Sequence, residues 1–272
     1  MTDPRAVKTH GSLVLVAWIG LLFLVLPLAV VIPVSFTPNR YLSLPGDVWS
    51  LRHYQALVID ASWRASTFDS TVVALGAAGL ATLLGTCCAI GCWRISSRLS
   101  ELIRVLMLAP IIVPSIVHAL GFYRAWVEFG LFNTYQGLII AHAMKGIPYV
   151  VICVSASLAN FDVRLEQAAR NLGASIGQAI RWIVLPSIMP GILAGAGFAF
   201  VTSWDELVVN LFITSRRVVT LPRKIWNSIQ DNIDPAVAAA ATLLILLTLA
   251  GIVVHLAIMR RAARRPAKGV PG

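Results

Sequence analysis

Four side chains able to carry charge or bind a cation fall inside stretches that are otherwise apolar. Trp204, Asp205 and Glu206 follow one another in one apolar run, and Lys145 lies within another. A charged group in an apolar membrane segment is costly unless it is paired or faces water, and the face of a tryptophan ring attracts cations. These residues are therefore candidates for lining a path for a cationic solute, with structural ion pairs as the alternative.

No residue pattern typical of an enzyme accompanies these charges. The sequence contains no Gly-Lys dipeptide, which excludes the phosphate-binding P-loop, and it contains neither G-x-S-x-G nor H-E-x-x-H. Its four cysteines lack metal-site spacing with histidine partners. We therefore expect no catalytic site, metal or cofactor in this chain.

The composition is typical of an integral membrane protein. Hydrophobic residues make up 58% of the chain and charged residues only 12%, whereas soluble domains carry about 25% charged residues. The net charge of +10 could suggest nucleic acid, but the basic residues lie mostly in short segments between apolar runs. This distribution favours a protein surrounded by membrane lipid and no nucleic-acid partner.

Six apolar runs are long enough to cross a bilayer as helices, which takes about 20 residues each. They cover residues 12–35, 65–92, 103–124, 136–159, 188–214 and 236–259. The sequence thus predicts an all-α integral membrane protein with one membrane domain over residues 1–272. The polar segments 36–63 and 215–236 are predicted external loops, the first with a short surface helix.

The distribution of basic residues predicts how these spans are oriented. Six crossings place both termini on one side of the membrane. That side would also hold the 93–104 loop and the 160–187 segment, and it carries more than half of the 22 lysines and arginines. Because positive residues accumulate on the cytoplasmic side, both termini are predicted to be cytoplasmic.

The polar segment 160–187 predicts a helical hairpin beside the membrane. Asp162 is placed to cap the first helix by accepting hydrogen bonds from first-turn amides. Gly173 lies where a left-handed turn would end that helix. A second apolar stripe follows, and Pro186 is predicted to stop the second helix.

This hairpin resembles the signature loop of type I ATP-binding-cassette importer permeases, the MetI-like architecture. The likeness is carried by the order and spacing of Ala168, Ala169, Gly173, Ile183, Leu185 and Pro186. In that family the loop is a coupling helix that docks into a cleft of a cytoplasmic ATPase. The glutamate that usually stands six residues before the glycine is Gln167 here, and its neighbour Glu166 is a candidate to supply the charge. The resemblance implies an ATPase contact made by Glu166, Gln167, Ala168, Ala169, Gly173, Leu185 and Pro186.

The C-terminal half looks most like spermidine/putrescine-type permeases, through residues 203–206 and 221–226. The resemblance implies an importer permease subunit in a bacterial inner membrane. Its expected partners are a second homologous permease, most simply a different chain, two ATPase subunits and an external solute-binding protein. A polyamine is the expected substrate. Iron, small amino acids and phosphonates remain alternatives within the family, and an ion-coupled secondary transporter is the alternative from another class.

Overall fold

The computed structural model describes residues 11–231 and 234–263, and this described part is helical with no strand. In chain order the helices are α1 (Gly11–Val34), α2 (Arg52–Ile59), α3 (Ala61–Ile95), α4 (Arg98–Ile112), α5 (Ser115–Glu128), α6 (Tyr135–Ala159), α7 (Val163–Asn171), α8 (Ile176–Ala179), a π-helical turn (Ile180–Val184), α9 (Leu185–Trp204), α10 (Val208–Ile213), α11 (Leu221–Asp231) and α12 (Ala236–Ala263). The all-helical class is confirmed.

The chain divides into two compact units. One comprises Ser62–Trp226, and the other comprises Met1–Ala61 together with Asn227–Gly272. The first contains all the candidate site residues. In the second, α12 packs against α1 and against the predicted surface helix α2. A single membrane domain over the whole chain stays a prediction.

Each predicted span falls on one of these helices or helix pairs. Among the described residues, α1, α3, α6 and the stretch Ile176–Trp204 are long and apolar enough to cross a membrane, and α4 with α5 makes a fifth crossing if the bent pair is one span. The sixth prediction corresponds to α12, whose apolar part, Ala236–Gly251, is shorter.

The third predicted span is wrong as a single helix. It consists of α4 and α5, and the chain bends by 103° between them. Pro110 is tolerated inside α4, but the chain leaves the helical region at Val113, whose ψ is 126°. The residue before a proline is pushed toward extended conformations, so Pro114 explains why the break occurs at this position.

The predicted end of the hairpin's second helix at Pro186 is also wrong. From Ile176 the helix passes through the π-helical turn into α9, so that the fifth span begins well before residue 188. Pro186 lies directly after the π-helical turn, and in membrane helices such a local π adjustment, together with Ser or Thr side chains, satisfies the backbone groups that a proline leaves unpaired. The Ser187 hydroxyl also donates to the Ile183 carbonyl at 2.6 Å, which satisfies an acceptor beside the proline.

The predicted loop after α10 is held in place. Its residues 215–221, here called the strap, are bonded through main-chain amides to side chains distant in sequence. The Val219 amide donates to Asp69 Oδ2 at 3.0 Å, and the Leu221 amide donates to Ser70 Oγ at 2.7 Å. Helix α11, which the sequence reading did not predict, begins where the strap ends.

Close contact between α6 and α9 forms the centre of the larger unit. A Cβ atom added at Gly195 would lie 2.8 Å from the Val150 Cα, and one at Gly191 would lie 2.7 Å from the Cys153 carbonyl oxygen. Small residues allow such close approach in membranes. At Gly197 of the same helix, by contrast, an added Cβ would meet no atom within 4 Å.

Two alanine substitutions on α9 test this packing. Gly195→Ala is expected to destabilise the protein by about 1–3 kcal/mol, because the new methyl group meets backbone that has no room to move. Gly197→Ala adds the same group to the same helix in open space and is expected to be neutral or slightly stabilising. Thermal unfolding of the two purified variants in one detergent measures the difference. Equal melting temperatures would contradict the packing argument.

Candidate functional site

Asp205 and Glu206 lie in a break between two helices. The sequence placed them on consecutive positions of one long helix, and this is wrong because α9 ends at Trp204 and α10 begins only at Val208. Asp205 caps the end of α9, with its amide donating to the Val201 carbonyl at 3.0 Å. Glu206 turns the other way, and its Oε1 accepts the Val209 amide of α10 at 3.0 Å. The two neighbouring carboxylates therefore have separate surroundings.

Lys145 forms an ion pair with Glu206. Its Nζ donates to Glu206 Oε2 and, at 2.7 Å, to the Ser115 hydroxyl. The Lys145 side chain is only 12% exposed and that of Glu206 only 8%. A buried charge without its partner is strongly destabilising. The pair therefore fixes α6, the start of α5 and the break after α9 relative to one another.

A second polar contact joins the same helices one turn away. His142 Nδ1 lies 2.8 Å from the Ser203 hydroxyl, and both residues are buried. Among the described residues, the other ring nitrogen of His142 has no hydrogen-bond partner. Two polar links, Lys145–Glu206 and His142–Ser203, thus hold the end of α9 against α6.

Asp205 differs from its neighbour in exposure and pairing. Its side chain is exposed, and within the described residues its carboxylate has no ion pair or hydrogen bond. Trp204 beside it is half-buried and stacks on Phe200 with ring centroids 5.6 Å apart. Of the four predicted path residues, the structure thus joins Lys145 with Glu206 and leaves Asp205 free to meet another charge.

The predicted cap and turn of the hairpin are confirmed. Asp162 Oδ1 accepts the Arg164 amide at 3.0 Å. Gly173 has a φ of +94°. Its amide donates to the Arg170 carbonyl at 3.0 Å, and the Ala174 amide donates to the Ala169 carbonyl at 3.1 Å. This pair of bonds is a Schellman motif, which needs a left-handed residue at the position of Gly173.

Glu166 faces away from the exposed side of the hairpin. It is 5% exposed, and its Oε1 lies 2.5 Å from Nη2 of Arg94 at the end of α3. Its charge is therefore already paired within the chain. The other predicted coupling residues line the surface or lie just beneath it: Gln167, Ala168, Gly173 and Pro186 are exposed, and Ala169 and Leu185 are half-buried.

Sequence reasoning missed three residues that position these groups. Ser115 follows Pro114 at the helix break, a place where a side chain can turn toward a buried charge. His142 lies one helical turn from Lys145, and this spacing was a usable signal for a shared polar face. Arg94 gave no such signal, since Glu166 is 72 residues away.

The part of the chain that matches known proteins includes both the Lys145–Glu206 ion pair and the hairpin. The family model of the binding-protein-dependent transport system inner membrane component matches residues 81–265. The chain is 30% identical over 240 residues to the spermidine/putrescine transport system permease protein PotC of Haemophilus influenzae, covering 88% of this chain and 93% of the relative. It is 28% identical over 252 residues to the putrescine transport system permease protein PotI of Escherichia coli K12, covering 90% and 89%.

One solved structure shares the fold over almost the whole chain. It is a bacterial ABC transporter involved in the import of the acidic polysaccharide alginate. The TM-score is 0.68 at 13% identity, and the match covers 96% of this chain and 99% of that one. At this identity the likeness concerns the fold alone.

The buried ion pair is tested by a double-mutant cycle. Lys145→Met and Glu206→Gln are each expected to destabilise the protein by about 3–5 kcal/mol, because each leaves one buried charge alone. The double variant removes both charges and keeps an oxygen for the Val209 amide, so it should recover most of this loss. Unfolding in detergent measures all three variants. Glu101→Gln breaks the exposed pair with Arg104 and is the control, expected to cost less than about 1 kcal/mol. A double variant no more stable than the single ones would contradict the pairing.

Proposed function

Since the chain belongs to the family of binding-protein-dependent transport system inner membrane components, we propose that it carries a small polyamine such as spermidine or putrescine. As a member of that family it is a permease subunit of an ATP-binding-cassette importer and not an enzyme. The observation that carries the choice of substrate is the similarity to PotC and PotI over about nine-tenths of the chain. The exposed carboxylate of Asp205 supports it independently.

The charges around the helix break suit a cationic solute. Primary amines have a pKa of about 10 and are protonated at neutral pH, so a polyamine is a chain of positive charges. Lys145 would repel such a molecule, but Glu206 neutralises it in the buried pair. Lys145, Glu206 and Asp205 together therefore carry one net negative charge. We assign Asp205 to the path, with Trp204 as a neighbouring cation–π surface, and Lys145 with Glu206 to the framework beside it.

The family works with an ATPase, a binding protein and a second permease. We propose two ATPase subunits, which hold the ATP and Mg, and a partner permease that is a different chain. The hairpin is the proposed ATPase contact, through Gln167, Ala168, Ala169, Gly173, Leu185 and Pro186, with Glu166 behind it. This assigns the hairpin and both termini to the cytoplasmic side of the inner membrane. The described residues do not include 1–10 and 264–272, and so they do not include Arg264, Arg265 and Lys268 of the basic tail.

Transport assays test the substrate and the role of Asp205. In proteoliposomes with all partner subunits, spermidine or putrescine should stimulate ATP hydrolysis, whereas iron, small amino acids and phosphonates should not. Asp205→Asn keeps the volume and removes the charge. It should lower polyamine uptake by about tenfold or more, because a hydrogen bond to a charged group contributes about 1.5–3 kcal/mol. Asp47→Asn removes another exposed carboxylate and is the control. Normal uptake by Asp205→Asn would rule out the path role, and uptake driven by an ion gradient without ATP would overturn the importer.

Two substitutions at one glycine test the coupling role of the hairpin. Gly173→Val places a β-branched residue at a φ of +94°, which such residues scarcely adopt. Gly173→Asn adds a side chain of similar size that tolerates the left-handed region. We expect the valine variant to reach the membrane but to lose the copurifying ATPase, and the asparagine variant to keep it. Equal ATPase recovery with both variants would contradict the assignment.

A further inference from the structure

The exposed side of the hairpin is cationic. Three arginines of this segment are exposed, namely Arg164, Arg170 and Arg181. Only two acids accompany them. Glu166 is buried against Arg94, and Asp162 uses a carboxylate oxygen to cap α7. The charge that the hairpin presents to a partner is therefore positive.

The hairpin also presents an apolar groove. An open groove of about 450 Å³ runs between α7 and the π-helical turn, and its lining includes Leu172, Trp182, Ile183 and Gly173. Leu172 is 90% exposed and Trp182 is 69% exposed. Charged residues adjoin both side chains: Arg170 stands two residues before Leu172, and the Arg181 guanidinium lies 5.3 Å from the centre of the Trp182 ring. Large exposed apolar side chains with polar neighbours mark a protein-binding surface.

We infer that the surface receiving this hairpin combines apolar side chains with an acidic rim. The inference rests on the proposed function, because the occupant to which we assign it is the cytoplasmic ATPase subunit. Charge complementarity requires acidic residues opposite Arg164, Arg170 and Arg181. The groove favours a protein over the other natural partner of a cationic hairpin, an anionic lipid surface. A concave groove takes a projecting side chain, whereas a bilayer surface offers none.

The inference gives a physical role to Gln167. On α7 this residue stands three positions from Arg164 and three from Arg170, a spacing at which oppositely charged side chains pair. A glutamate there would pair with one or both arginines and reduce the positive charge of the face. With Glu166 held by Arg94, a neutral residue at 167 keeps the face cationic.

Binding of the intact permease to its ATPase measures the effect. The permease is placed in nanodiscs, and the dissociation constant for the purified ATPase is determined in low and high salt. The wild-type constant should rise with salt, since exposed charges are screened. Arg170→Glu and Gln167→Glu should each weaken binding roughly threefold to tenfold in low salt, the range for exposed charge pairs and their reversal. Gln167→Lys should bind at least as tightly as the wild type. Arg216→Glu, an exposed arginine of the strap, is the control and should bind normally.

The outcomes separate this inference from the proposed function. If the wild type binds the ATPase without salt dependence, and if Gln167→Glu binds equally well or better, the acidic rim is wrong and the importer assignment stands. If the wild type binds no ATPase at all, the proposed function fails as well. Nanodiscs with and without anionic lipid test the alternative partner. Loss of the Arg170→Glu effect in zwitterionic nanodiscs would mean that the arginines contact lipid, and this too would overturn the inference.

Discussion

The ion pair between Lys145 and Glu206 is the contact on which the larger unit depends. Neither charge is tolerable alone in an apolar interior, so each fixes where the other can be. Glu206 can reach Lys145 because the helix stops at Trp204, and Ser115 can reach it because the chain bends after α4. The breaks after Trp204 and after α4 thus allow Glu206 and Ser115 to contact Lys145.

Close packing of small residues makes this meeting possible. Gly146, next to Lys145, leaves so little room that an added Cβ would lie 3.1 Å from the Ala199 Cβ and 3.2 Å from the Ala81 Cβ. Helices α3, α6 and α9 therefore approach each other closely at the level of the pair. Had larger residues stood there, the helices would have separated and the lysine would have lost its partner. The ion pair in this region therefore depends on the close packing of the helices around it.

What could be predicted from the sequence was decided by local physics. Apolar runs predicted where helices lie, and the Asp162 cap and the Gly173 turn were predictable because each depends on neighbours within a few residues.

The two proline errors arose because the effect of proline depends on context. Pro186 follows a π-helical turn that lets the helix continue past it, whereas Pro114 lies at a sharp bend. The pairing of Glu166 with Arg94 spans 72 residues, and no periodicity in the hairpin contains that information. Asp69 was a missed signal, since a carboxylate near the start of an apolar span needs a partner.

The strap carries a consequence for how the chain is made. Asp69 lies near the beginning of α3, but the amide that it accepts, that of Val219, is 150 residues further along the chain. During synthesis, α3 emerges long before this amide exists. Until then Tyr135, whose hydroxyl donates to Asp69 Oδ1 at 2.5 Å, is the earlier of its two partners to be translated. Maturation of this side of the protein is therefore ordered in time: Tyr135 of α6 can bond the carboxylate first, and the strap can bond it only after Val219 has been made.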